Sequence, residues 1–201
     1  MATALFFDLD GTLANSERHH WRAWRDAVRP FHIRLSWHWY RSAGIGRPDA
    51  DIARQVLKLV RQGGTKVKQE ELLKLKEDYF LRLIQTFSMV PIRTVSLLEN
   101  IRNFPLAVVT SCPRVQADAI LERAGVAQHF RTRVCLEDVR RPKPHPDPYL
   151  KAMRFLRVSA GIAFENSESG VASAQRAGLE VVFVPDPRQL PSLVRARLVR
   201  D

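Results

Sequence analysis

Hydrophobic positions fall into two regimes along the chain. Short apolar runs, "ALFFDL" (4–9), "LAVVT" (106–110), "RVCL" (133–136), "IAFE" (162–165) and "EVVFV" (180–184), have the length and residue types of buried strands. Helical spacing fills 113–124, 146–157 and 168–177 between the later runs. Alternating strands and helices predict a parallel sheet covered on both faces. From about 15 to 88 the periodicity is helical throughout. "SERHHWRAWRDAV" stops at Pro30, "PDADIARQVLKLVR" stops at Gly63-Gly64, and "KQEELLKLKEDYFLRLIQTF" continues the pattern. Pro48 suits a first helical turn, and Asp49 and Asp51 suit the positive end of that helix. The expected fold is α/β: a Rossmann-like parallel sheet with helices on both faces, and a small all-helical domain inserted after the first strand. The core domain would span 1–14 and 89–201, and the helical domain 15–88, with no repeats or low-complexity segments.

Composition narrows the picture only a little. A chain of 201 residues, 45% hydrophobic, suffices for a core domain carrying a smaller one. No stretch reaches the ~18 apolar residues of a membrane span, and the N-terminus lacks a basic segment followed by an apolar one, so neither membrane nor signal peptide is expected. Cys112 and Cys135 have no metal-like spacing and read as reduced thiols of a cytoplasmic protein. The net charge of +11 is scattered from Arg18 to Arg200 without a block of five like charges. Such a surface suits nucleic acid or the steering of small anions. No zinc-finger or RNA-binding signature supports the first, and Trp21 and Trp24 in "WRAWRD" have the spacing of a packing face. Nucleic acid is therefore not an expected partner; a monomer or small homo-oligomer is.

Chemistry gathers where the strands end, which is where open parallel sheets bind ligands. The first run delivers Asp8 and Asp10, the second Thr110 and Ser111, the fourth Glu165 and Asn166. Lys143 lies in "RRPKPHPDP", a loop stiffened by four prolines from Pro142 to Pro148. Residues two apart on a strand share a side, so Asp8 and Asp10 are expected to face one site while Gly11 lets the chain turn away. Two adjacent carboxylates favour a cation, and oxygen ligands suit Mg²⁺. A phosphate would then need the hydroxyl and amides of Thr110 and Ser111 and the charge of Lys143.

These residues form a pattern. "DLDGTL", "VVTS", "KPHPDPY" and "FENSESGVASAQRAG" match, in order, the four motifs of the haloacid dehalogenase superfamily of phosphotransferases. The helical insertion resembles that superfamily's cap, most like the β-phosphoglucomutase and sugar-phosphate phosphatase group. The resemblance implies that Asp8 attacks phosphorus, forming an aspartyl-phosphate. Asp10 would protonate the leaving oxygen and then activate the water or hydroxyl that attacks next. Thr110, Ser111 and Lys143 would hold the phosphoryl group, and Mg²⁺ would be held by Asp8, Asp10, Glu165 and Asn166. Asp10 argues against a dehalogenase, which needs no proton donor there. In the cap, His20, Trp24, Arg47 and Lys76 fall where the mutases carry equivalents. Arg47 would hold the distal end of a sugar phosphate with help from Lys76, and His20 would lie near the nucleophile strand. Asn166 departs from the pattern: "ENS" replaces "EDS", so an uncharged ligand stands where the motif has an acid. The expected activity is a Mg²⁺-dependent phosphatase acting on a sugar phosphate. A β-phosphoglucomutase-like phosphotransferase and a catalytically weak basic binding protein on the same fold are the alternatives.

Overall fold

The computed structural model describes residues 3–62 and 67–198. Gly63-Gly64, expected to end the second long helix, lies outside the described residues. The five predicted runs form one parallel sheet: β1 (Leu5–Phe7), β2 (Leu106–Val109), β3 (Thr132–Val134), β4 (Ile162–Glu165) and β5 (Glu180–Phe183), in the order β3-β2-β1-β4-β5. The chain therefore lays strands to one side of β1 and then returns to build the other side.

Every residue of β1, β2 and β4 is buried, as continuous apolar strands between two helical layers should be. Phe6 points to one layer and meets Tyr149 edge-on at 6.3 Å; Phe7 points to the other and stacks on Phe164 at 5.1 Å. The sheet edges are less covered, with Glu180 and Phe183 of β5 exposed. Register sets the height at which each strand ends. Phe7 lies opposite Val108 on one side and Phe164 on the other. The next residues, Asp8, Val109 and Glu165, therefore sit at one level where the central strands end.

The chain divides into two compact units, Met1–Asn15 with Ser88–Asp201, and Ser16–Phe87. The second is all-helical: α1 (Glu17–Val28), α2 (Trp37–Ala43), α3 (Asp49–Gln62) and α4 (Gln69–Thr86). Its core includes Trp24, Ala27, Val28, Ile52, Val56 and Leu72. Trp24 is fully buried and Trp21 donates its indole N–H to the Leu35 carbonyl at 3.0 Å, so both tryptophans serve packing. Around the sheet lie α5 (Ile92–Asn100), α6 (Arg114–Arg123), α7 (Asp147–Leu156), α8 (Glu168–Arg176) and α9 (Leu190–Leu198).

Two departures from the sequence pattern have local causes. "RVCL" stops being strand at Val134, because the Asp138 carboxylate accepts the Cys135 amide at 2.8 Å and pulls 136–138 into a 3₁₀ turn. Helix α2 is absent from the periodicity because "WHWYRSA" is only seven residues long; Ser36 starts it by accepting the Trp39 amide at 3.1 Å.

Candidate active site

The Asp8 pair is presented differently from the sequence expectation. β1 ends at Phe7, so Asp8 and Asp10 lie in the loop beyond it, and strand alternation does not orient them. The loop is shaped by its own hydrogen bonds: Asp8 N to the Phe164 carbonyl at 3.0 Å, and Gly11 N to the Ala14 carbonyl at 2.8 Å. Gly11 turns at φ +82°, and a Cβ there would lie 1.9 Å from Asn166 Nδ2. The missing side chain thus both allows the turn and lets the Asn166 amide close over it.

Lys143 ties the strand ends together. Its ammonium donates to Asp8 Oδ1 at 2.8 Å, to the Val109 carbonyl at 2.8 Å and to Glu165 Oε1 at 2.5 Å. Those are the three residues that the register places at one level. Burial works against the Lys143 charge, but Asp8 and Glu165 outweigh it and lift its pKa above the ordinary lysine value. Burial raises the Asp8 pKa, Lys143 draws it back, and Glu165 and Asp10 raise it again; the balance is about 7. The protein alone therefore leaves this carboxylate short of positive charge.

Glu165 was expected among the metal ligands. It is fully buried, and both its oxygens are engaged. Oε1 accepts from Lys143 and from the Tyr149 hydroxyl at 2.7 Å, while Oε2 accepts the Asn166 amide at 3.2 Å. Its role in these contacts is to hold Lys143. Tyr149, on α7, was not singled out in the sequence, although it closes the quoted motif "KPHPDPY". Burial, Glu165 and Asp8 together push its pKa well above the usual phenol range, so it stays a neutral donor. Gly170 on α8 is also needed here, since a Cβ would lie 2.1 Å from the Glu165 carboxylate.

Thr110 is buried beyond β2, and its Oγ1 accepts the Cys112 amide at 3.0 Å, which leaves the hydroxyl proton to donate elsewhere. Ser111 comes next in the chain, half-buried. Asp8, Asp10 and the Asn166 amide oxygen are hard oxygen donors of the kind Mg²⁺ takes. The donor set fits. Among the described residues no three His, Cys, Asp or Glu side chains group as a metal site.

In the helical unit, Lys76 is completely buried. Its ammonium meets Asp49 Oδ2 at 2.5 Å and His20 Nδ1 at 2.9 Å, and lies 4.6 Å from the Phe80 ring centre. A charged lysine has no lone pair to offer, so His20 Nδ1 is the acceptor. His20 stacks on Phe80 at 3.9 Å, and Trp24 donates its indole N–H to Asp49 Oδ1 at 3.1 Å. Asp49, legible only as a helix-start acid, is thus the partner of Lys76. Arg47 stands apart from this cluster, exposed in the turn before α3.

Residues 5–184 match the model of the haloacid dehalogenase-like hydrolase family. The validoxylamine A 7'-phosphate phosphatase of Streptomyces hygroscopicus subsp. limoneus is 31% identical, over 98% of this chain and 92% of its own. The fructose-1-phosphate phosphatase of Escherichia coli (strain K12) is 27% identical, over 90% of this chain and 95% of its own. The crystal structure of CbbY from Rhodobacter sphaeroides in complex with phosphate superposes with a TM-score of 0.79 at 23% identity, covering 91% of this chain and 86% of that one. With the family model spanning residues 5–184, most of the chain, the chain belongs to the haloacid dehalogenase-like hydrolases.

Proposed function

We propose that this chain is a Mg²⁺-dependent phosphatase of small phosphorylated metabolites, sugar phosphates first, working through an aspartyl-phosphate on Asp8. The observation that carries the reading is the Lys143 ammonium clamped between Asp8 and Glu165 at the level where the central strands end. A buried carboxylate fixed by one oxygen to a lysine presents its other oxygen in a constant direction, as a nucleophile needs. Asp10, half-exposed in the same loop, gives a proton to the departing alkoxide and then takes one from the attacking water. The Thr110 hydroxyl and the Ser111 amide donate to the phosphoryl oxygens, and Lys143 offsets their growing charge without leaving Asp8. Mg²⁺, held by Asp8, Asp10 and Asn166, would supply the positive charge that lets an anion approach an anion. Glu165 contributes its charge from behind, through Lys143.

Hydrolysis is favoured over mutase chemistry by Lys76. A mutase must grip a sugar bisphosphate in two orientations, and Lys76 and Arg47 were the expected grips. Lys76 is buried and neutralised by Asp49, which leaves Arg47 as the exposed cation of that pair. The names of the two phosphatase relatives support a small phosphorylated substrate. No helix among the described residues is long and apolar enough to cross a membrane, and both cysteines are free and buried, which supports action in the cytoplasm. The test is to incubate β-glucose 1-phosphate with a trace of the 1,6-bisphosphate and Mg²⁺, and to track glucose 6-phosphate and free phosphate together. Free phosphate is the expected main product; rapid, stoichiometric glucose 6-phosphate would make the chain a mutase.

A further inference from the structure

The outer face of α1 is a row of guanidiniums. Arg18, Arg22, Arg25 and Arg29 follow at i, i+4, i+7 and i+11, the last at the cap residue, which keeps helical angles. At 3.6 residues per turn they fall within an arc of about 60° along ~16 Å of helix. All four are exposed, whereas Ala23, Trp24, Ala27 and Val28 bury the opposite side. Residues 17–41 hold six arginines, no lysine and only two acids. Asp26 pairs with Arg25 at 2.8 Å, and Glu17 accepts the Tyr40 hydroxyl at 3.3 Å. Arg18, Arg22, Arg29, Arg34 and Arg41, all exposed, have no ion-pair partner among the described residues.

Aromatic rings hold part of this row in shape. The Arg18 guanidinium lies over the Trp37 ring at 3.8 Å and that of Arg25 over Trp21 at 5.3 Å, and the two indoles meet edge-on at 5.9 Å. A guanidinium already resting on a ring has less freedom to lose when it binds an anion. Arg41 stands one turn beyond Trp37 on α2 and widens the positive face.

We propose that this face binds single-stranded nucleic acid through its phosphates. Arginines about one turn apart, ~5 Å, offer planar forks to successive groups of a linear polyanion. Among the described residues no large apolar side chain between 16 and 43 is exposed. The face therefore lacks both the apolar centre of a stable protein interface and the side chains that would insert among lipids. Counterion release lets a purely cationic row bind nucleic acid without either. Phosphate contacts carry no sequence information, so such a face needs no base-reading motif, and the lack of one does not weigh against it.

The test is fluorescence anisotropy of a short labelled oligouridylate titrated with the full chain across a salt series. Four phosphate contacts predict saturable binding whose log affinity falls with log salt at a slope of about −3, from ~0.7 per phosphate on a single strand. Arg22→Gln with Arg29→Gln removes two of those contacts. The slope should then shrink to about −1.5, and affinity at low salt should drop at least about tenfold. Arg102→Gln with Arg123→Gln makes the same change of net charge in the sheet-bearing unit, where both arginines are exposed, and should bind as the wild type does. Circular dichroism melting curves report an intact fold in both variants. The proposal is overturned if binding does not saturate, if the two variants lose affinity alike, or if Arg22→Gln with Arg29→Gln keeps the wild-type slope. It is overturned equally if polyglutamate of equal charge or phosphatidylserine vesicles bind at least as tightly as the oligonucleotide.

Discussion

Lys143 has three N–H groups, and Asp8, Glu165 and the Val109 carbonyl take all of them. Tyr149 is the fifth member of that cluster, and Tyr149→Phe would remove one donor from a buried carboxylate. A cost of about 1.5–3 kcal/mol is expected, from the loss of one hydrogen bond to a charged group that keeps its contact with Lys143, together with a fall in kcat rather than a rise in KM; urea unfolding and steady-state kinetics check both. Asp8 makes a pH prediction. Its pKa rises from 3.8 to about 7 on folding, so the native state keeps a proton that the unfolded chain releases. In metal-free protein this group withdraws stability as pH climbs from 3.8 to about 7, and no more above it. Urea midpoints across that window should fall in the wild type, and Asp8→Asn should flatten the fall. Lys76 gives a third test. Removing one member of a buried ion pair strands the other, so Lys76→Met should cost about 3–5 kcal/mol. Asp49→Asn with Lys76→Met should recover part of that loss, and a double-mutant cycle measures it. At this scale the acids, Thr110 and Lys143 were legible because each stands in a short motif. Asp49 was not, because its partner lies 27 residues away and only the packing of α3 on α4 brings them together.

Elements place these residues through register more than through propensity. β1, β2 and β4 were readable as unbroken apolar runs, and their register puts Asp8, Val109 and Glu165 at one height. The start of α8 then fits beneath Glu165 only because residue 170 is glycine. Gly170→Ala would drive a methyl group to 2.1 Å from that carboxylate, forcing Glu165 or α8 to move. Overpacking of this kind costs about 1–3 kcal/mol, and turnover should fall at least about tenfold if Lys143 shifts with Glu165 by the 1.4 kcal/mol that a decade needs. A crystal structure or an unchanged kcat would decide it. Helices α5 and α9, nine residues each, were not read from the sequence pattern. α9 also begins with a proline near its start and carries a run of arginines that blurs its apolar face.

As a whole, the molecule is a parallel-sheet unit interrupted by a helical one. The interruption was legible as a change of hydrophobic period near 15 and 88; the charge of +11 was legible but its arrangement was not, since only the fold sets Arg18 of α1 against Trp37 of α2. Chelation with EDTA should stop turnover and Mg²⁺ restore it. Asn166→Asp, by adding a charge beside the Asp10–Gly11 turn, should tighten Mg²⁺ binding in a calorimetric titration. Everything proposed for catalysis depends on Asp8 as the residue that takes the phosphoryl group. The direct measurement is an acid quench during turnover of a sugar phosphate, and then mass spectrometry of the peptide that contains residue 8. One phosphoryl group on Asp8, absent from the Asp8→Asn chain and with that variant inactive, is the expected result. Turnover of Asp8→Asn near the wild-type rate, with no phosphoryl group at residue 8 in either protein, would contradict it.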